Sequence, residues 1–340
     1  MPNRPPEPRN VPITVGNETI DPGRSRRFEL PVSRLPSGTW ESMPVAVVNG
    51  RRPGPHVFLS GAVHGDEVNG VEIIRRVLQR LDARRMAGAV IAVPIVNVLG
   101  FINQSRYLPD RRDLNRSFPG SVRGSMAARL AHLFMTQVVS HCQYGIDLHT
   151  AAAERINAPQ IRADLEDPQA KELAAAFGAP FTIHARVRDG SLRQAGTEIG
   201  TKVLLYEAGS PQRFQQTAID TGVTGVLRVL EKLEMGSWEL PRVGDRVELR
   251  KTQWVRATRS GIATLDVDLA YEVEKGQVLG TIAEALGGRR TGFRAPADGH
   301  VIAVNQNPLV SQGDAMVHVG VPGVVGKDEP AERRRRRRSA

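Results

Sequence analysis

Apolar side chains at Val68, Val71, Ile74, Val77, Leu78 and Leu81 recur at close to a 3.6-residue period, which predicts an amphipathic helix over 68–81. The run HVFLSG immediately upstream has the length and composition of a buried strand at 56–61. The same reading predicts strands at 89–96, 144–148 and 202–206, and helices at 125–142, 167–177 and 212–233. Apolar strands alternating with longer helical segments indicate an α/β fold built on a largely parallel or mixed sheet. The first 40 residues read as an N-terminal extension that can carry edge strands. Beyond about residue 240 the texture changes to short strand-like pieces separated by Gly and Pro, so a small all-β module is expected over 241–322. Two glycine-anchored halves, starting at Gly261 and Gly299, repeat within it and resemble the barrel-sandwich of biotinyl and lipoyl domains. Their joining stretch, residues 283–299, holds no Lys, which argues against a swinging-arm carrier.

Polar clusters follow the predicted strands, and open α/β sheets bind ligands at the carboxyl ends of their strands. His64 and Glu67 follow the first strand, His149 ends GIDLHT, and Glu207 ends KVLLYE, so these groups would share one rim. Catalytic zinc takes three protein ligands and keeps a fourth position for water. His64 and Glu67, three positions apart where a loop enters a helix, can reach one ion, with His149 the natural third candidate; read alone, the pair is equally a polar connector. In RYLPDRRDLNRSFPG, residues 106–120, Asn115 and Arg116 can grip a carboxylate, the Arg through its planar fork; the alternative is a surface turn. Glu207 can carry a proton from water to a leaving amine, or serve simply as a strand-end residue. Asp147 can orient a ligating imidazole or act as a strand end. His56, His132, His141, His184, His300 and His318 lack a partner motif and read as structural or surface groups.

Composition narrows the class. With 340 residues and 40% hydrophobic content the chain can bury a substantial core. Six of the ten net positive charges belong to residues 333–338, so the remainder is close to +4; residues 323–340 are expected to form a disordered, Arg-rich tail. Aromatics are 5% of the chain and no RNA-binding signature is present, so no nucleic-acid partner is expected. Nor is a membrane partner: no run of about 18 apolar residues occurs, and MPNRPPEPRN lacks the apolar segment of a secretory signal. Cys142 is the single cysteine, which excludes an intramolecular disulfide and leaves metal binding to His and carboxylates. It reads as a small buried hydrophobe, and a cytoplasmic setting is expected.

HGDE, DLNRSFPG, DLHT and YEAG, in this order and at these separations, make the chain similar to the succinylglutamate desuccinylase/aspartoacylase family of zinc hydrolases, relatives of the zinc carboxypeptidases. The resemblance covers about residues 40–235 and extends to the β module. It implies a zinc carboxypeptidase-like (phosphorylase/hydrolase-like) mixed sheet flanked by helices over 41–240. It also implies one Zn2+ per subunit and hydrolysis of an amide in an N-acylated amino acid. Matched position by position, it implies His64, Glu67 and His149 as metal ligands, Asn115 and Arg116 as carboxylate binders, and Glu207 as general acid/base. Arg106 is the choice for polarising the scissile carbonyl, with Arg111 and Arg112 as competitors. Carboxypeptidase-like trimming of a peptide would use the same groups, and a catalytically silent binding protein is the alternative from another class. The expected partner is a small N-acyl amino acid, and self-association into a homo-oligomer is compatible with these features.

Overall fold

The computed structural model describes residues 10–323. The tail expected at 323–340 therefore lies almost wholly outside the described residues. Period-two alternation builds the centre: Val57 and Leu59 of the strand Arg52–Gly61 point to one face, where they meet Ile73, Ile74 and Val77 of the helix Asn69–Leu78. Phe58 points to the other face and packs edge-on against Phe134, ring centroids 5.9 Å apart, on the helix Met126–Gln137. The strand Ala87–Val93 is buried at every position and divides its side chains between the same two cores. Helices thus cover both faces of a mixed sheet, as the apolar runs predict.

Twelve strands form that sheet in the order Arg24–Arg34, Trp40–Asn49, Ala87–Val93, Arg52–Gly61, Tyr144–His149, Lys202–Gly209, Arg155–Ala163, Phe181–His184, Val247–Arg256, Ala315–Pro322, Gly299–Asn305 and Glu272–Val273. Arg24–Arg34 occupies the outer border, its side chains largely exposed. At the other end the sheet curls back, because Gly299–Asn305 also pairs with Arg155–Ala163, and five strands close into a barrel. The barrel joins residues after 240 to the main sheet. A separate four-stranded sheet packs beside it, formed by Arg290–Arg294, Val278–Ala283, Gly261–Leu265 and Leu309–Val310. Among the described residues, no helix is long and apolar enough to cross a membrane.

Helix boundaries follow their local chemistry. The helix expected at 167–177 spans Pro168–Phe177, because the Asp167 side chain caps the amides of Gln169 and Ala170, Pro168 opens the first turn, and Gly178 adopts the left-handed conformation that ends it. The helix expected at 125–142 stops at Gln137 and continues as a 3-10 turn at Val139–His141. That expected at 212–233 starts at Gln216, after Gln212 takes a positive φ of 56°. Three strands, Trp40–Asn49, Arg155–Ala163 and Phe181–His184, and two helices, Val98–Ile102 and Leu192–Glu198, are not anticipated by the pattern.

The loop after Arg52–Gly61 is held tightly against the helix Val98–Ile102. A Cβ on Gly65 would lie 2.0 Å from the carbonyl carbon of Gly100 and 2.2 Å from the amide of Phe101, both backbone atoms that cannot step aside. Gly65→Ala is therefore expected to destabilise the fold by about 2 kcal/mol or more. A lowered urea midpoint at unchanged m-value checks this, and an unchanged midpoint would refute the close approach.

Candidate metal centre

Three parallel strands carry the candidate residues to one edge. Gly61 pairs with Leu148 and His149 pairs with Glu207, so the loop bearing His64 and Glu67, the end of Tyr144–His149 and the end of Lys202–Gly209 stand side by side. Residues distant in sequence meet because parallel pairing aligns their strand ends. His64, Glu67 and His149 are all buried and offer ligand atoms that lie within 4.8 Å of one another.

Glu67 is the hub. Its Oε1 lies 2.7 Å from Nδ1 of His64 and its Oε2 lies 2.7 Å from Nδ1 of His149, while Oε2 also accepts the Thr150 amide at 3.1 Å. The far side of each ring meets a second carboxylate: Nε2 of His149 is 2.8 Å from Asp147 Oδ2, and Nε2 of His64 is 3.1 Å from Asp113 Oδ1. Ser60 donates to the other oxygen of Asp147 at 2.7 Å and fixes it in turn. A neutral imidazole has one N–H. If each ring gives that proton to its outer carboxylate, both Nδ1 lone pairs and the Glu67 oxygens face inward as acceptors, a donor set that suits a divalent cation. The residues present therefore fit a zinc ion.

Protons compete for the same atoms. Burial opposes the charge on His149, but Asp147 and Glu67 outweigh it and hold the imidazole pKa well above its ordinary value. His64 is raised in the same way, with burial overcome by Glu67 and Asp113. Glu67 moves oppositely: burial would push its carboxyl up, and the two imidazoles bring it below the usual carboxylate range.

Arg106 reaches this cluster, donating to Glu67 Oε1 at 3.3 Å and Asp113 Oδ2 at 3.0 Å. Arg111 and Arg112 are exposed, and among the described residues neither touches the cluster. Asn115 is buried, and its Oδ1 accepts the Leu192 amide at 2.9 Å, which engages the oxygen and leaves the nitrogen's donors for a ligand. The Arg116 guanidinium bonds to the Asn115 carbonyl, and both residues line the cleft. Glu207 accepts from Asn157 Nδ2 at 2.7 Å on the same cleft wall. The cavity is about 520 Å3, a size suited to a small molecule.

Sequence reasoning passed over three contributors. Asp113 sits inside the DLNR segment, but nothing in its spacing announced a contact with His64. Trp254 and His318 line the cleft from strands that reach it through barrel closure, a relation carried by no local motif. Asp113→Asn keeps a polar group beside His64 and removes its charge. Zinc affinity is expected to fall about 10- to 100-fold, read by competition with a chromophoric chelator; unchanged affinity would deny Asp113 a supporting role.

Comparisons with known proteins find relatives over most of the chain. Residues 53–233 match the succinylglutamate desuccinylase/aspartoacylase catalytic domain. Over 334 residues the chain is 29% identical to the N-alpha-acetyl-L-2,4-diaminobutyric acid deacetylase of Halomonas elongata, covering 93% of this chain and 97% of that protein. A succinylglutamate desuccinylase/aspartoacylase structure from Rhodobacter sphaeroides superimposes with a TM-score of 0.79 at 27% identity, covering 89% of this chain and 98% of the other. The product-bound ectoine utilization protein EutE (DoeB) of Ruegeria pomeroyi gives 0.80 at 25% identity, covering 89% and 97%. With the matched segment spanning more than half of its length, the chain belongs to the succinylglutamate desuccinylase/aspartoacylase family.

Proposed function

We propose that the protein is a zinc-dependent deacylase that hydrolyses the amide bond of an N-acylated amino acid. The observation that carries this reading is the convergence of His64, Glu67 and His149 beside Glu207, at the edge of three parallel strands and within a small-molecule cleft. The deacetylase named for the Halomonas relative supports it. On this reading residues 41–240 are the catalytic domain, with the sheet in a zinc carboxypeptidase-like arrangement, and residues 241–322 are a β module that closes the cleft.

A zinc ion held by His64, Glu67 and His149 would supply a water of pKa roughly 7 and a Lewis acid for the scissile carbonyl. Glu207 takes the proton from the attacking water and returns it to the departing amine. Arg106, tethered by Asp113, presents a guanidinium to the carbonyl oxygen as negative charge develops there. Asn115 and Arg116 bind the substrate carboxylate and set the distance between amide and water. Asp147 and Asp113 keep the imidazole tautomers that aim both Nδ1 atoms inward.

The test is metal content and hydrolysis measured together on the full chain, across a panel of N-acyl amino acids. About one zinc per chain and turnover of at least one panel member are expected. Neither zinc nor hydrolysis would leave the silent binding protein in its place.

A further inference from the structure

The two oxygens of Glu207 have unequal surroundings. Oε2 accepts from Asn157 Nδ2 at 2.7 Å, which among the described residues is the only hydrogen bond to this carboxylate. Oε1 has none, and stands 3.5 Å from the Nε of Arg162 without bonding to it. Asn157 is buried and lines the cleft. It meets the carboxylate with its NH2, because turning the amide over would set one acceptor against another.

Regular strand pairing would not supply this contact. Lys202–Gly209 sets Leu205 opposite Arg162 and Glu207 opposite Gln160 on the strand Arg155–Ala163, and residues two apart share a face. Gln160 is not available to Glu207, since its Nε2 is committed to the carbonyls of Ala158 and Ile302. Unbroken alternation would turn Asn157, three positions from Gln160, to the opposite face. The register shifts at this point: Gly209 pairs with Asn157, so Ala158 and Pro159 together oppose Ala208. Pro159 has no N–H for the ladder, and the extra residue makes a β-bulge, a device that re-aims a side chain. Asn157 is thereby returned to the face that carries Glu207. Its backbone is paired on both sides, with Gly209 and with Ala303 of the strand that closes the barrel.

We propose that Asn157 is the positioning residue of Glu207, holding Oε2 and leaving Oε1 as the atom that moves the proton. This rests on the deacylase reading above. As an O–H bond of the attacking water breaks, its electron pair stays on the oxygen that bonds to the carbonyl carbon, and the proton goes to Oε1. The same proton then passes to the amine nitrogen, which keeps the electron pair of the broken C–N bond. Asn157 touches neither water nor amine; it fixes the carboxylate so that both transfers use one geometry. The β module bears on the base through the pairing of Ala303 with Asn157.

Zinc-loaded protein is assayed with N-acetyl-L-aspartate, N-succinyl-L-glutamate and Nα-acetyl-L-2,4-diaminobutyric acid, and variants are compared on the compound turned over best. Asn157→Ala is expected to keep its zinc and a KM within about twofold while kcat falls about 30-fold. Asn157→Asp keeps the shape, removes the donor and sets a second carboxyl against Glu207, so it reads the contact even where the alanine variant fails to fold; its kcat falls at least as far. Added to Glu207→Gln, Asn157→Ala lowers the residual kcat by less than about twofold, because a residue acting through Glu207 has nothing left to act on. A purely structural role repeats the same loss in both backgrounds. Unchanged kcat in Asn157→Asp, a loss carried by KM, lost zinc, or equal losses in both backgrounds overturns the assignment. The Asn157 side-chain amide resonance, identified by its absence from Asn157→Asp, reads the contact without turnover. Its bonded proton is expected downfield and moves upfield in Glu207→Gln, where the acceptor loses its charge; an unmoved resonance overturns the proposal. No hydrolysis of any of the three compounds, with that resonance moving as expected, overturns the deacylase reading instead.

Discussion

Glu207→Gln is expected to bind zinc as the unaltered protein does and to lose about 10^3-fold in kcat. Glu207 lies outside the inward-facing donor set but pairs in register with His149, one of its members. The amide keeps the size of the carboxylate and can still accept the bond from Asn157, so the strand end and the neighbouring imidazole stay in position. What disappears is a group able to take a proton and give it back. Metal analysis by mass spectrometry alongside steady-state kinetics separates the two properties. Full activity in this variant would reject Glu207 as the base, whereas lost zinc would mean that the side chain supports the metal itself.

His149→Ala should give the converse result, with zinc content falling below about a tenth of an equivalent and activity vanishing with it. One of three ligands is removed, and the two carboxylates that sandwiched the ring, Glu67 and Asp147, are left buried without their partner. Removing one member of a buried charged cluster typically costs about 3–5 kcal/mol, so the melting temperature should fall as well. Acidification offers a milder version of the same loss. Because Asp147 and Glu67 raise the His149 pKa, protons compete for its ring more strongly than for an ordinary imidazole, and zinc content is expected to fall as pH is lowered. A variant that eluted from gel filtration with a full equivalent of zinc would remove His149 from the ligand set.

The two variants depend on residues that were legible to different degrees. His64 and Glu67 are neighbours in the chain, and their spacing permits a shared ion, but by itself it reads as well as a polar connector. His149 could be joined to them only through the rule that parallel strand ends share an edge, which the pairing of Gly61 with Leu148 bears out in this fold. The strand Arg155–Ala163 escaped detection because RINAPQIRA breaks its alternation with Asn157, Pro159 and Gln160, and part of its polar side faces the cleft rather than solvent. Arg162 was hidden with it. His318 read as a bland histidine because its register partner Trp254 lies on the neighbouring strand, 64 residues back, and Arg162 is brought near it by barrel closure across more than 150 residues. Local periodicity has no access to such a contact.

The outer border of the sheet has a consequence for how molecules of this protein meet one another. Barrel closure consumes the backbone donors at one end, and the last strand in the order there, Glu272–Val273, is two residues long. The other end is Arg24–Arg34, an eleven-residue strand whose outer ladder has no partner strand among the described residues and could template sheet growth between copies. Its sequence, RSRRFELPVSR, sets four arginines along that ladder and a proline within it. Approaching copies would bring like charges together and meet a residue without an amide N–H at Pro31, so the border discourages fibril-like stacking.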